Sequence, residues 1–151
     1  MTPALVAIVI ATAHPNIAPA RAQHLAEDIA AETETSEEVN ALVATMEVES
    51  GMREEVETCA ITGDHGRAIS LYQMHRQWWE GHTRREVCTS NRLATRLALH
   101  TLHALGGDHG YWIDAFHLYV GGSTSRNDPR IARRRRLFEV LQAIESRRVR
   151  A

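Results

Sequence analysis

The stretch "TSEEVNALVATMEVESG", residues 35–51, decides how the chain is read. Thr35 and Glu38 stand at capping-box spacing, which starts a helix by satisfying its first free amide groups. Val39, Leu42, Val43 and Met46 then recur at helical intervals and define one apolar face. Gly51 supplies the residue that most easily leaves the helix in a left-handed conformation. Glu47 and Glu49 fall on the two edges of the apolar face, and periodicity does not choose between them. Glu49 is nearer the helix end, where unpaired carbonyls and the dipole oppose a negative charge and favour a protonated acid.

Outward from this helix the periodicity stays helical, with few alternating β-branched runs, so the expected fold class is all-α. A first helix is expected over residues 3–14 and a second from Pro19, well placed in a first turn. A loop over residues 52–67 follows the central helix. Ser90 or Asn91 caps a helix carrying Leu93, Leu97, Leu102 and Leu105, stopped by Gly106 and Gly107. "YWIDAFHLYV", residues 111–120, reads as a short buried helix closed by Gly121 and Gly122. A last helix, capped by Asp128 ahead of Pro129, carries Ile131, Leu137, Val140, Leu141 and Ile144 on its apolar side.

At 151 residues and 44% hydrophobic content the chain suits one domain over residues 1–151, with residues 1–17 as an extra N-terminal helix and 126–151 as a basic C-terminal one. The net charge of -2 conceals a segregation along the chain. Acidic residues gather between Glu27 and Glu57 and arginines after Arg126, so a molecular dipole is expected. All 17 basic residues are Arg, for which there is no physical account beyond a bias in the source genome. The apolar run at residues 4–13 is too short to span a bilayer. It reads as a buried first helix in preference to a secretory leader, because a basic leading region is missing.

Cys59 and Cys88 allow one bridge or two reduced thiols, and they lack the spacing of a zinc site. His100 and His103 lie three apart on one helix without an HExxH pattern or a carboxylate partner, so no metal is expected. Trp78 and Trp79 suit either sugar stacking or the core, with core favoured. The run Arg133, Arg134, Arg135, Arg136 reads as a solvated face, and no nucleic-acid motif accompanies it.

Three ordered motifs carry a resemblance. "EVESGM" at the end of the central helix, "GDHGRAISLYQMH" from Gly63 and "AFHLYVGG" from Ala115 resemble the successive elements of the soluble lytic transglycosylase and goose-type lysozyme superfamily over residues 25–141. There an acid-Ser pair closes a helix, a Gly-x-x-Gly-x-Ala-x-Gly-Leu-x-Gln element follows, and a Tyr-Asn-Ala-Gly element comes last. The resemblance implies a lysozyme-like helical domain with a substrate cleft. It implies that Glu49 is the catalytic acid, that Ser50 binds substrate or orients the acid, and that Gln73 is a cleft-wall amide. It further implies that the Tyr119 hydroxyl bonds the catalytic carboxyl, and it places Tyr72 among the substrate-binding residues. The chain departs from the pattern at Ser70, where the family usually has Gly, at Tyr72, which replaces Met or Leu, and at Val120 and Gly121, which replace Asn-Ala.

The expected activity is cleavage of the β-1,4 bond between N-acetylmuramic acid and N-acetylglucosamine in peptidoglycan by one Glu acting as acid and then base, giving 1,6-anhydro products without cofactor or metal. Two rivals accompany it. One is hydrolysis on the same fold, with Asp64 positioning a water. The other is a non-catalytic phage structural or glycan-binding protein. The expected partners are glycan strands of the bacterial cell wall, with phage particle proteins as a further class. No nucleic acid and no membrane span are expected. The expected place of action is the extracytoplasmic wall, for a protein of phage or bacterial origin.

Overall fold

The helices that begin at Pro3, Ser36, Arg84 and Asn91 each start with a side-chain oxygen that accepts from a free amide group, whereas the one that begins at Pro19 has no side-chain cap. A computed structural model describes residues 1–119 and 129–148. In chain order the helices are α1 (Pro3–Ala13), α2 (Pro19–Glu32), α3 (Ser36–Ser50), α4 (Glu54–Glu57), α5 (Arg84–Thr89), α6 (Asn91–Ala104), α7 (Trp112–Tyr119) and α8 (Pro129–Arg148). The fold is all-α, and among the described residues only two isolated β-bridges interrupt it. Thr35 accepts from Glu38 N while the Glu38 carboxylate accepts from Thr35 N, the capping box expected for α3. Thr83 and Glu86 repeat that box at α5, and Ser90, not Asn91, caps α6. Each such cap stabilises its helix by about 1 kcal/mol.

α3 is the central element, with Val39, Leu42, Val43 and Met46 fully buried. It is covered by α1, α2, α6 and α8. α1 and α2 form an antiparallel hairpin, and Val6 and Ile10 bring α1 into the common core. The first helix is therefore a packed part of the bundle. No helix among the described residues is long and apolar enough to cross a membrane.

The loop expected over residues 52–67 contains α4 and a 3-10 turn at Asp64–Gly66. Beyond it, Gly63 pairs with Ala68 and Ile69 with Met74 in two successive tight turns. Ser70 (φ 66°) and Gln73 (φ 49°) both adopt left-handed backbone there. Such a conformation costs a non-Gly residue on the order of 1 kcal/mol and persists only where surrounding packing fixes it. Here the fixing comes from Ile69, Leu71, Tyr72 and Met74, all completely buried. Left-handed backbone at Ser70 also gives a reason for Gly at the matching position of the resembled pattern.

The last helix departs most from its expected face. Ile131, Arg134, Phe138 and Leu141 are the buried positions, whereas Val140 is 45% exposed. The expected stops at Gly121 and Gly122, the departure at Val120 and the cap at Asp128 lie outside the described residues.

Cys59 and Cys88 are joined in a disulfide with Cα atoms 5.5 Å apart. Cys88 sits inside α5 and not in a turn, while Cys59 lies in the turn after α4. The bridge spans a sequence separation of 29 residues that includes both tight turns. In the chain-entropy account a loop of that length stabilises the fold by about 3–4 kcal/mol. Alkylation of the unreduced protein should therefore add no label, and two labels should appear after reduction, with a matching fall in unfolding free energy. Two labels on unreduced protein from an oxidising compartment would exclude the bridge.

Candidate active site

The C-terminus of α3 stops through local chemistry. Gly51 takes the left-handed cap conformation (φ 59°), and its amide bonds the Glu47 carbonyl. The Ser50 hydroxyl donates to the Met46 carbonyl at 2.8 Å and accepts from Met52 N at 3.2 Å. Ser50 is 4% exposed, so its hydroxyl is spent on ending the helix. These two bonds give Ser50 a structural part at the helix end, beside the role of binding substrate or orienting the acid that the resemblance implies. Arg21 reinforces the turn that follows, bonding the Met52 carbonyl at 2.8 Å and the Glu57 carboxylate at 2.7 Å.

The two acids on the edges of the α3 face go to adjacent arginines of α8. Glu47 is held by His14 at 2.9 Å and Arg133 at 3.1 Å. It lines a cavity of about 220 Å³ with Ala13, Arg133, Arg136, Leu137 and Val140. Glu49 is bonded through Oε1 by Nη2 of Arg134. The Glu49 side chain is 12% exposed and that of Arg134 is fully buried. The helix-end argument for Glu49 omitted this cation, because nothing local to α3 places it. Two acids of the acidic segment thus meet two arginines of the basic one across the α3–α8 contact.

Arg134 is the residue that sequence reasoning missed. Its guanidinium carbon lies 5.6 Å from the Phe116 ring centre and 5.4 Å from that of Tyr119, within cation–π range. A second nitrogen reaches the Phe116 carbonyl at 3.4 Å. Burial pushes the Arg134 guanidinium down from its usual range, and the Glu49 carboxylate acts against that shift. The signal was present in the sequence, since Arg134 is three residues after Ile131, four before Phe138 and seven before Leu141. Its membership of a four-arginine run hid it.

Tyr119 belongs to the same group. Its ring contacts the guanidinium that binds Glu49, but its hydroxyl donates to the Tyr72 carbonyl at 2.8 Å. The expected bond from Tyr119 to the Glu49 carboxyl is therefore replaced by a bond to the second tight turn. Burial, with the negative charge of Glu49 behind it, raises the Tyr119 hydroxyl well above its usual range, so it remains a donor. Tyr72 is completely buried and its hydroxyl bonds Thr95 at 3.0 Å. A glycan has no access to it, and its expected substrate contact is corrected to a core role.

Gln73 is partly exposed, and its amide nitrogen donates to the Ser70 carbonyl at 2.9 Å. Its amide oxygen lies over Gly63, where an added Cβ would stand 2.2 Å away. Gly63 thus makes room for the Gln73 side chain. Asp64 is 42% exposed, near Arg67 at 3.4 Å and His75 at 3.7 Å. Trp79 is core, 8% exposed, and donates to the Met74 carbonyl at 3.2 Å, while Trp78 is partly buried against the same cluster. His103 bonds Glu38 at 2.9 Å and His100 is exposed, so the two do not form a pair. Among the described residues no group of three or more His, Cys, Asp or Glu stands together in a way that could hold a metal ion. A larger cavity of about 540 Å³ lies beside α2 and the disulfide, lined by His24, Asp28, Glu57, Cys88 and Asn91 among others.

No family model, curated protein sequence or solved structure matches this chain.

Two outcomes follow from this geometry. Tyr119→Phe leaves the buried Tyr72 carbonyl without its donor, so thermal denaturation should register a loss of about 1–3 kcal/mol; an unchanged melting temperature would contradict the bond. Gly63→Ala should displace the Gln73 amide at little cost in stability, because the obstructing atom ends a flexible side chain. The Gln73 side-chain amide resonances should shift in that variant, and unmoved resonances would place the amide elsewhere.

Proposed function

We propose that the chain is a lysozyme-like domain that cleaves peptidoglycan glycan strands as a lytic transglycosylase, with Glu49 as its acid and base. The observation that carries this reading is the position of Glu49. It is a nearly buried carboxylate at the end of the central helix, one residue before the Ser-Gly stop, anchored by one oxygen and retaining 12% exposure. The all-α framework and the two tight turns leading to Gln73 agree with it.

In this reading Glu49 protonates the bridging oxygen as the bond from the muramyl C1 to that oxygen breaks and C1 becomes oxocarbenium-like. The resulting carboxylate then takes the proton from the same sugar's 6-hydroxyl, whose oxygen bonds C1 and closes the 1,6-anhydro ring. The proton taken from the 6-hydroxyl replaces the one given to the bridging oxygen. The sugar supplies the nucleophile, so one carboxyl serves both steps. Gln73 is the cleft-wall group that remains from the expected set, and the cell wall is the place of action.

A second reading is favoured by the ion pair itself. A glutamate bound to a fully buried arginine can serve to dock α8 on α3, in a non-catalytic wall-binding or phage particle protein of the same fold.

Mass analysis of muropeptides after digestion separates the readings. Products one water lighter than hydrolytic ones are expected, made by the native protein and reduced at least about 100-fold in Glu49→Gln. Hydrolytic masses would instead support a muramidase with Asp64 or another water-positioning group. No products from the native protein would support the docking role. Glu49→Gln should also melt at a lower temperature than native protein, because it leaves the Arg134 charge buried without its counter-ion. Activity is therefore to be compared at temperatures where both proteins are folded.

A further inference from the structure

We infer that Arg134 is the positioning residue of the Glu49 site, a buried guanidinium that grips Oε1 and thereby fixes the direction in which Oε2 faces the substrate. The inference rests on the proposed catalytic role of Glu49.

The geometry around Arg134 is one-sided. Its side chain is fully buried, and its polar and ring contacts among the described residues are with Glu49 Oε1, the Phe116 carbonyl at 3.4 Å, and the rings of Phe116 and Tyr119. Tyr119 is itself tied by its hydroxyl to the Tyr72 carbonyl in the second tight turn. The guanidinium is thus held by α7 from its ring contacts and by α8 from its backbone. Among the described residues, Glu49 Oε2 has no hydrogen-bond partner. One oxygen is held by Arg134, and in the proposed mechanism the other carries the proton transfers.

Stability is a weak reason for this arrangement. A buried ion pair loses much of its attraction to desolvation, and apolar residues of similar volume often serve a core as well. Position 134 lies on the buried face shared by Ile131, Phe138 and Leu141, where an aliphatic side chain would suit the packing. The guanidinium also lacks a partner for Nε among the described residues, so the site tolerates an unmet donor to keep this group. What arginine adds over an apolar residue is a directed bond to one carboxyl oxygen. Catalysis by a single carboxyl is sensitive to that direction, since a displacement of about 1 Å lowers turnover on the order of 100-fold.

The test uses Arg134→Met and Arg134→Lys in the full chain, with soluble peptidoglycan oligomers as substrate and near-ultraviolet circular dichroism to report the folded fraction. Arg134→Met should lower kcat about 100-fold with KM within about threefold of native. Arg134→Lys restores the charge but not the planar fork, and should recover part of the loss. Where Arg134→Met fails to fold, the lysine variant carries the test alone, with kcat expected to fall at least about tenfold in folded protein. A folded variant with native kcat, a rise in KM at unchanged kcat, or a loss of kcat that only follows the folded fraction would overturn the positioning role. In those cases glycan cleavage abolished by Glu49→Gln would leave the catalytic reading intact. An inactive native protein removes that reading and the positioning role with it.

Discussion

The contact between Arg134 of α8 and Glu49 of α3 is the constraint around which the rest of this structure is arranged. A fully buried guanidinium is tolerable only with an anion in contact, so the end of α3 and the middle of α8 must meet at one register. Sliding α8 by one turn would leave Arg134 without Glu49 and would also separate Arg133 from Glu47. The aromatic rings of α7 complete the enclosure, and Tyr119 passes it on to the turn at Tyr72. Helix packing here is specified by charge as well as by shape. That specificity accompanies the apolar burial of Val39, Leu42, Val43 and Met46, which supplies the larger favourable term.

The second organising element is the pair of tight turns between Gly63 and Met74. These turns hold four non-Gly residues, Asp64, His65, Ser70 and Gln73, in left-handed backbone, and around the last two the cost is met by apolar neighbours that fill the core. Gly63 earns its place by leaving room for Gln73, and the Cys59–Cys88 bridge closes the segment from outside. Gln73 is therefore presented from a rigid frame, although it belongs to no helix.

Within the candidate site, residue identity and residue placement diverge. The Glu-Ser pair was legible as a pair, but the serine hydroxyl serves the helix stop and the glutamate faces an arginine. Tyr72 and Tyr119 are neighbours in space, and the Tyr119 hydroxyl, expected on the Glu49 carboxyl, bonds the Tyr72 carbonyl instead, while the Tyr72 hydroxyl bonds Thr95. A motif states which residue types recur at which spacing. It leaves open which of several hydrogen-bonding groups each side chain meets, since the competing partners come from elements far away in sequence.

The sequence by itself determined the helices, because their signals are local. The capping box at Thr35, the stop at Gly51 and the apolar spacing of α3 act within a few residues and need no tertiary partner. It also marked Glu49 as a carboxylate in an unusual place. Only the tertiary structure decided that Cys59 meets Cys88, that Glu47 and Glu49 of α3 pair with Arg133 and Arg134 of α8, and that one arginine of a charged run is buried. The physical reason is range. Hydrogen bonds within a helix turn are fixed by residues three or four apart, whereas the partner of a buried charge is fixed by where two distant helices cross.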